Sequence, residues 1–398
     1  MNILIINAGS SSLKFQLFDG EAVDVVMNGH YLDIGGTASK PECVRIIAVQ
    51  GREETSTMTV EDHQSAIRDM LGLMRQRKVI RGDADIASTG HRIVHGGERY
   101  SRATLVTQDM LSYLSEISAL APLHNPVGLS CIEVLIESLP GVPQYAVFDT
   151  AFHRTIPEDV YLYGLPIELY KKYGIRKYGF HGINHSYVAQ RTAEILGRDI
   201  AGMNIITCHL GNGQSICAVK HGQSLDTSMG FTPLEGLPMG TRSGSFDPGI
   251  IFFLIQRGFS PDAIHTMVNR KSGLLGLSGI DSHYKTIEER ARSGDANAKR
   301  ASDILINRIT CLIGAYTAEM GGVDAIVFTG GIGEKSAYLR KGVLDHFGYI
   351  RLELDDTSNE RNAEIITAPG SAVQALVIPA NEELQIAREV IRARREIG

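Results

Sequence analysis

The chain opens on an unbroken apolar run, Ile3-Leu4-Ile5-Ile6, then small and polar residues, Asn7-Ala8-Gly9-Ser10-Ser11-Ser12, then Leu13, Phe15 and Leu17 alternating with Lys14 and Gln16. An unbroken run fits a buried strand, alternation fits a strand with one covered face, and glycine and serine between them fit a turn. The pattern predicts a hairpin. It returns at Ile205-Ile206-Thr207-Cys208-His209-Leu210-Gly211-Asn212-Gly213, followed by Ser215 to Val219, with Asn7/His209, Gly9/Gly211 and Ser11/Gly213 at one constant offset. A repeat separated by half the chain predicts two similarly built domains facing each other across a cleft, each offering one Gly/Ser turn.

Helical periodicity covers residues 61–77 (Ile67, Met70, Leu71, Met74), 185–196, 299–320 and 382–395, interleaved with strands such as Gln144–Phe148 and Asp324–Phe328. Alternating helices and strands make the fold class α/β. With 398 residues the chain exceeds one usual core. The crossings between domains are placed near Asp149–Thr155 and Ile378–Asn381, giving domains 1–149 and 150–381 and a C-terminal helix 382–398.

Composition narrows the function classes. Apolar residues are 43% and charged residues 21% of the chain, and no apolar run reaches the roughly 18 residues of a membrane span. The N-terminus lacks a basic n-region and a small-residue cleavage site, so a strand and a cytoplasmic protein are expected. Cys43, Cys131, Cys208, Cys217 and Cys311 form no CxxC pair, which argues for thiols and not a disulfide framework. A net charge of −6 gives no footprint for nucleic acid.

The candidate chemistry is anionic. Three Gly-rich turns, Asn7–Ser12 with Lys14 nearby, His209–Gly213, and Gly330-Gly331-Ile332-Gly333-Glu334 between a strand and a helix, would expose N–H groups to phosphate oxygens. Any one of them is more often only a tight turn. Arg92, before His95-Gly96-Gly97, and Arg242, in Met239-Gly240-Thr241-Arg242-Ser243-Gly244, could bind a carboxylate or neutralise a transferring phosphoryl group; a surface ion pair is the ordinary alternative. His91/His95 and His181/His185 have the spacing of zinc ligands, but Gly96, Gly97 and Gly182 break the helices that would present them. Hydrogen bonding to a phosphoryl oxygen is the functional reading of such histidines, and a satisfied core histidine the plain one. Asp149, ending an apolar strand, and Glu382 are the candidate Mg²⁺ ligands, although an acidic residue also suits a helix N-terminus.

Together these segments resemble the acetate kinase family, within the superfamily of sugar kinases, heat-shock chaperone ATPases and actin. The resemblance spans essentially the whole chain: NAGSSSLKF (7–15), GHRIVHGGE (90–98), PLHNP (122–126), FDTAFH (148–153), YGFHG (178–182), HLGNG (209–213), DTSMGFTPLEGLPMGTRSG (226–244), GGIGE (330–334) and NEEL (381–384). It implies two actin-like (ribonuclease H-like) domains with mixed sheets flanked by helices, the first closed by the C-terminal helix, with the site between them. It implies Mg²⁺, or Mn²⁺ in its place, at Asn7 and Glu382, and a phosphate contact at Lys14. Arg92 would bind the acyl substrate, Asp149 would be the essential acid, and His181 and Arg242 would stabilise the transferring phosphoryl group. Val94, Leu123, Phe180 and Pro233 match the pocket for the acyl methyl group. His209, Leu210, Gly211, Asn212 and Gly213, with Gly331, Ile332, Gly333 and Glu334, would hold ATP, and a homodimer is implied.

The chain departs from the family in its nucleotide pocket. Asp281-Ser282-His283-Tyr284-Lys285 stands where many members read Ser-Ser-Asp-x-Arg, and Lys335 replaces an Asn. Arg242-Ser243-Gly244-Ser245 replaces RSGD, and Gly182-Ile183-Asn184-His185 replaces GTSH. His283, Tyr284, Lys285 and Lys335 complete the expected nucleotide set; ATP is the expected donor, and the departures at His283, Lys285 and Lys335 leave another nucleotide or pyrophosphate as the alternative. A propionate kinase, a non-catalytic nucleotide-binding protein and a sugar kinase are the competing functions. Sugar kinases need a base for a hydroxyl nucleophile, whereas a carboxylate is already ionised at neutral pH.

Overall fold

The computed structural model describes residues 1–20, 23–36, 42–121 and 124–397. The chain divides into two compact units, Met1–Phe152 with Asn381–Gly398, and His153–Ala380.

The first unit is built on an eight-stranded mixed sheet: β1 (Asn2–Ala8), β2 (Ser12–Asp19), β3 (Val25–Leu32), β4 (Cys43–Val49), β5 (Arg52–Met58), β6 (Ile86–Ile93), β7 (Thr104–Leu105) and β8 (Gln144–Phe148), in the order β5-β4-β3-β2-β1-β6-β8-β7. β1 pairs antiparallel with β2 and parallel with β6, and β6 pairs parallel with β8. The apolar run of β1 is buried along Ile3–Ile6, as a central strand covered on both faces should be. The helix Glu382–Ile397 packs on β1, β6 and β8. Gly90 on β6 permits this, because a Cβ there would lie 2.8 Å from Val390 and 3.0 Å from Ile386.

The second unit carries a five-stranded sheet: β9 (Asn204–Leu210), β10 (Gln214–Lys220), β11 (Gln223–Thr227), β12 (Ala325–Thr329) and β13 (Gln374–Val377), in the order β11-β10-β9-β12-β13. It repeats the plan of β3-β2-β1-β6-β8, with three antiparallel strands followed by two parallel ones. The helix Ala296–Met320 lies on β9 and β10 through Leu305, Ile309, Ile313 and Tyr316, spaced at three and four residues. Asp295 caps it, its carboxylate accepting from Asn297 N at 2.9 Å and Ala298 N at 3.0 Å.

Both expected hairpins form, with one difference. Asn7 pairs with Lys14, whereas His209 pairs with Ser215, so the second hairpin closes one residue tighter than the constant offset implies. Two helices begin three residues earlier than their apolar periodicity suggests: those expected at 185 and 299 run Gly182–Leu196 and Ala296–Met320, whereas the one expected at 61 starts at His63. Gly330–Glu334 is not a turn ahead of a helix but is itself the short helix Gly330–Lys335.

Candidate active site

In the first unit, parallel strands bring their C-terminal ends together, which is where α/β folds build sites. Asn7 is on β1, Arg92 on β6, and Asp149 directly follows β8. Glu382 and Glu383 open the C-terminal helix. Asn7 Nδ2 donates to Glu382 Oε2 and to Glu383 Oε1, each at 3.0 Å. Arg92 donates to Asn7 Oδ1 at 3.2 Å and to Asp149 Oδ2, and its Nε lies 3.7 Å from Glu382 Oε2. Asp149 is 1% exposed, so its charge is stabilised by this pairing and not by water. Burial opposes the Arg92 charge, but Asp149 and Glu382 outweigh it and hold the guanidinium protonated. Lys14, exposed on β2, is the cross-strand partner of Asn7, and Val94 is buried just beyond β6. Leu123 lies outside the described residues.

In the second unit, four histidines interlock. His181 precedes the helix Gly182–Leu196 with φ of +57°, a left-handed conformation that non-glycine residues adopt at a cost. Its ring stacks on His209 with centroids 4.2 Å apart and planes 19° apart. His185 lies between Thr207 Oγ1 and Ser215 Oγ, each at 2.7 Å. His153 donates from Nε2 to Phe180 O at 3.0 Å and contacts Ser224 Oγ at 2.8 Å.

Arg242 is half-buried, and among the described residues its guanidinium bonds only neutral acceptors, Pro233 O at 3.2 Å and Met239 Sδ at 3.6 Å. Burial pulls it below its ordinary pKa. A cation held without a counter-ion is a place for an anion. Its loop is gripped from behind by Gly273–Ser278: Ser272 N, Leu274 N and Leu275 N donate to Thr241 O, Met239 O and Gly240 O at 2.9, 2.8 and 3.0 Å. Gly273 has φ of +59°, and a Cβ there would lie 2.0 Å from Met239 O. Gly273→Ala is therefore expected to displace the Arg242 loop. Steady-state kinetics should show kcat falling about 10-fold or more, with secondary structure by circular dichroism unchanged.

A cavity of about 680 Å³ in the second unit is lined by Gly211, Asn212, His283, Tyr284, Lys285, Gly331, Ile332 and Lys335, together with Ser282, Glu288, Glu289 and Ser336. The first eight come from the expected nucleotide set. Of the other members of that set, Leu210 is core, and Glu334 Oε1 accepts from Gly330 N at 2.9 Å and Ala380 N at 3.0 Å. Tyr284 reaches the cavity, but its ring belongs to the core and its hydroxyl pairs with Ser302 Oγ at 2.8 Å. His283 is held by Asp281, with Nδ1 2.9 Å from Oδ1.

The matching family model is described as the acetokinase family and covers residues 2–388. The chain belongs to that family. An acetate kinase of Geobacillus kaustophilus is 48% identical over 98% of this chain and 98% of its own. The crystal structure of Porphyromonas gingivalis acetate kinase superposes with a TM-score of 0.91 at 39% identity, covering 99% of both chains. A propionate kinase from Francisella tularensis gives 0.90 at 37% identity, covering 98% of both. Membership makes the chain a phosphotransferase with a carboxyl group as acceptor, and implies ATP as co-substrate and a divalent cation.

The residues present fit such a cation. Asn7 and Glu382 carry hard oxygen donors, few enough to leave water and phosphate positions around a divalent ion. The Asn7 amide now bridges two carboxylates with its positive N–H end, which is the electrostatic role a cation would take over. Among the described residues there is no cluster of three or more His, Cys, Asp or Glu placed to hold a metal. His91 lies on β6 and His181 in a left-handed cap, so neither zinc-like pair shares a helix.

Sequence reasoning missed four supporting residues. Gly273 carries the Arg242 loop, Glu288 and Ser336 line the cavity, and Arg340 grips the glycine helix. Arg340 is fully buried and donates to Gly333 O at 2.8 Å, to Asn359 Oδ1 at 2.8 Å and to Asn362 Oδ1 at 2.7 Å. Its only local signal is an arginine soon after a Gly-rich segment.

The remaining buried histidines are structural. Burial lowers His91, His95 and His153 from the ordinary 6.5 to about 4. Folded protein keeps them neutral while unfolded chains take up protons below 6.5, so stability is complete above that pH and is lost as pH falls towards 4. Each contributes a slope of about 1.4 kcal/mol per pH unit across that window. Urea midpoints measured between pH 7 and 4 should fall steadily; a flat profile would contradict the assignment.

Proposed function

We propose that the chain is a Mg²⁺-dependent acetate kinase that transfers the terminal phosphoryl group of ATP reversibly and in line to acetate, giving acetyl phosphate and ADP. The observation that carries the donor is the cavity beside Gly211 and Asn212. Its volume suits a nucleoside, whereas pyrophosphate would need only the phosphate turn. Glu288 and Glu289 in its lining repel phosphate but accept hydrogen bonds from ribose hydroxyls or base amines. His283, Lys285 and Lys335 then become tolerated variation at an open rim, consistent with Lys285 being 89% exposed.

The chemistry asks for alignment and charge neutralisation more than for a base, because the nucleophile is already ionised. Arg242 offers the uncompensated cation, and His181 a ring N–H, to the oxygens of the transferring group. Arg92, oriented by Asp149 and Asn7, takes the acyl carboxylate, and the family resemblance assigns Val94, Leu123, Phe180 and Pro233 to the acyl methyl group. Asp149 serves as the partner of Arg92 and not as a proton acceptor. Asn7 and Glu382 would hold Mg²⁺, which when bound neutralises phosphate charge, and Lys14 would contact phosphate.

The test is acyl hydroxamate formation by purified protein with Mg²⁺, acetate and hydroxylamine, run with ATP, GTP and pyrophosphate. Activity with ATP supports the reading; activity with pyrophosphate alone would overturn the donor. The likeness to a propionate kinase favours a second acceptor. One methylene is worth about 1–3 kcal/mol, so kcat/KM for acetate and propionate should differ by no more than ~200-fold.

A homodimer and a cytoplasmic setting complete the proposal. Among the described residues no helix is long and apolar enough to cross a membrane. The helix Gly249–Gln256 has the sequence GIIFFLIQ, yet Phe252 is 65% and Phe253 53% exposed, an apolar surface that suits a second copy. Phe252→Asp combined with Phe253→Asp should halve the mass measured by light scattering.

A further inference from the structure

The histidines of the second unit carry a further inference about how their protons are placed. Ser215 Oγ lies 2.8 Å from His181 Nδ1 and 2.7 Å from His185 Nε2. A hydroxyl has one proton, so it can donate to one of these nitrogens while accepting from the other. His185 is fully buried, and burial first, then His153 and His209, drive its pKa well below the ordinary value. It is therefore neutral and has one N–H to share between Thr207 and Ser215.

One direction of this chain leaves a neutral His181 able to donate. Thr207 donates to His185 Nδ1, His185 Nε2–H donates to Ser215, and Ser215 donates to His181 Nδ1. The opposite direction puts the His181 proton on Nδ1 and leaves Nε2 an acceptor, which would repel a phosphoryl oxygen. His181 Nδ1 is committed to Ser215 either way, so any bond to such an oxygen is made through Nε2. That edge of the ring runs along the Gly211–Gly213 turn: a Cβ at Gly213 would lie 3.2 Å from Cε1 and Nε2 of His181.

The stacked partner is set independently. Asn184 Nδ2 lies 2.8 Å from His209 Nδ1 and 3.4 Å from Thr329 Oγ1, while its buried Oδ1 has no partner among the described residues; in this amide orientation the nitrogen donates to both. Asn184 is fully buried, and it is one of the positions where the chain departs from the family motif, which has serine there.

We propose that Ser215 and Asn184 are positioning residues that commit Nδ1 of His181 and of His209 as acceptors, so that both stacked rings carry their protons on Nε2. The proposal rests on the reading that His181 contacts the transferring group. Two N–H donors on rings 4.2 Å apart then serve anionic oxygens without either ring having to be charged.

The test is a long-range proton–nitrogen correlation spectrum of the full chain labelled with ¹⁵N-histidine, at a pH where both rings are neutral. Signals are assigned by their loss in His181→Gln and His209→Gln. The expected wild-type result is a protonated Nε2 and bare Nδ1 for both rings. Ser215→Ala should turn His181 into a mixture of tautomers, leave His209 unchanged, and lower kcat about 10-fold with KM within ~2-fold, less than the ~10² of losing a donor outright. Asn184→Ser, the mildest change, should free the His209 tautomer and spare that of His181. A wild-type His181 or His209 protonated on Nδ1 would overturn the proposal, and needs no variant to fold. A His181→Ala enzyme with unchanged kcat would instead remove the reading of His181, whatever the tautomers.

Discussion

Arg242→Ala is expected to lower kcat for acyl phosphate formation by about 10³-fold, the scale of losing a preorganised cation from a phosphoryl-transfer site. The fold should survive, because among the described residues the guanidinium bonds only Pro233 O and Met239 Sδ, so removing it strands no buried charge there. Arg242→Lys should recover only part of the loss, since a point charge cannot reproduce a planar fork. Added guanidinium at millimolar concentration should restore some activity to the alanine variant and none to wild type. Single-turnover kinetics check the step affected; an alanine variant within threefold of wild type would remove Arg242 from the chemistry.

The second large effect is expected at Arg92 and Asp149, where stability and activity are coupled. Asp149→Ala takes away the main carboxylate of a buried guanidinium, and breaking such a pair costs about 3–5 kcal/mol. Removing both partners leaves no uncompensated charge, so Arg92→Ala with Asp149→Ala should be less destabilised than the two single losses added together. Urea denaturation of the four proteins closes this double-mutant cycle. Additive losses would show that the pair does not act as a unit. All three variants should lose acyl phosphate formation, because Asp149 acts through the orientation of Arg92.

The contrast between the two arginines was not legible in the chain. Both stand among glycines and both read as anion binders. In the structure Arg92 bonds or faces Asn7, Asp149 and Glu382, while among the described residues Arg242 hydrogen-bonds only neutral acceptors. The difference comes from which strand ends and which distant helix converge on each, and no local pattern encodes that.

Local physics settled a good deal. Apolar runs and alternation determined the hairpins of β1 with β2 and of β9 with β10, and three- and four-residue spacing determined the long helices, because burial of one face follows directly from periodicity. The repeat itself was legible, as was the family through its motifs. The one-residue difference in register between the hairpins was not, since the offset of Asn7 and His209 is constant while turn geometry selects the partner.

What only the tertiary structure decided is which groups meet. Asn7 bonds Glu382 across 375 residues of sequence, Gly273 clears space for the Arg242 loop, and Glu334 accepts from the backbone N–H groups of Gly330 and Ala380. The sequence determined the strands, the turns and the chemical types available. Long-range packing determined their partners, because a carboxylate, an amide or a ring nitrogen is defined by what neutralises it, and those neighbours come from elsewhere in the chain.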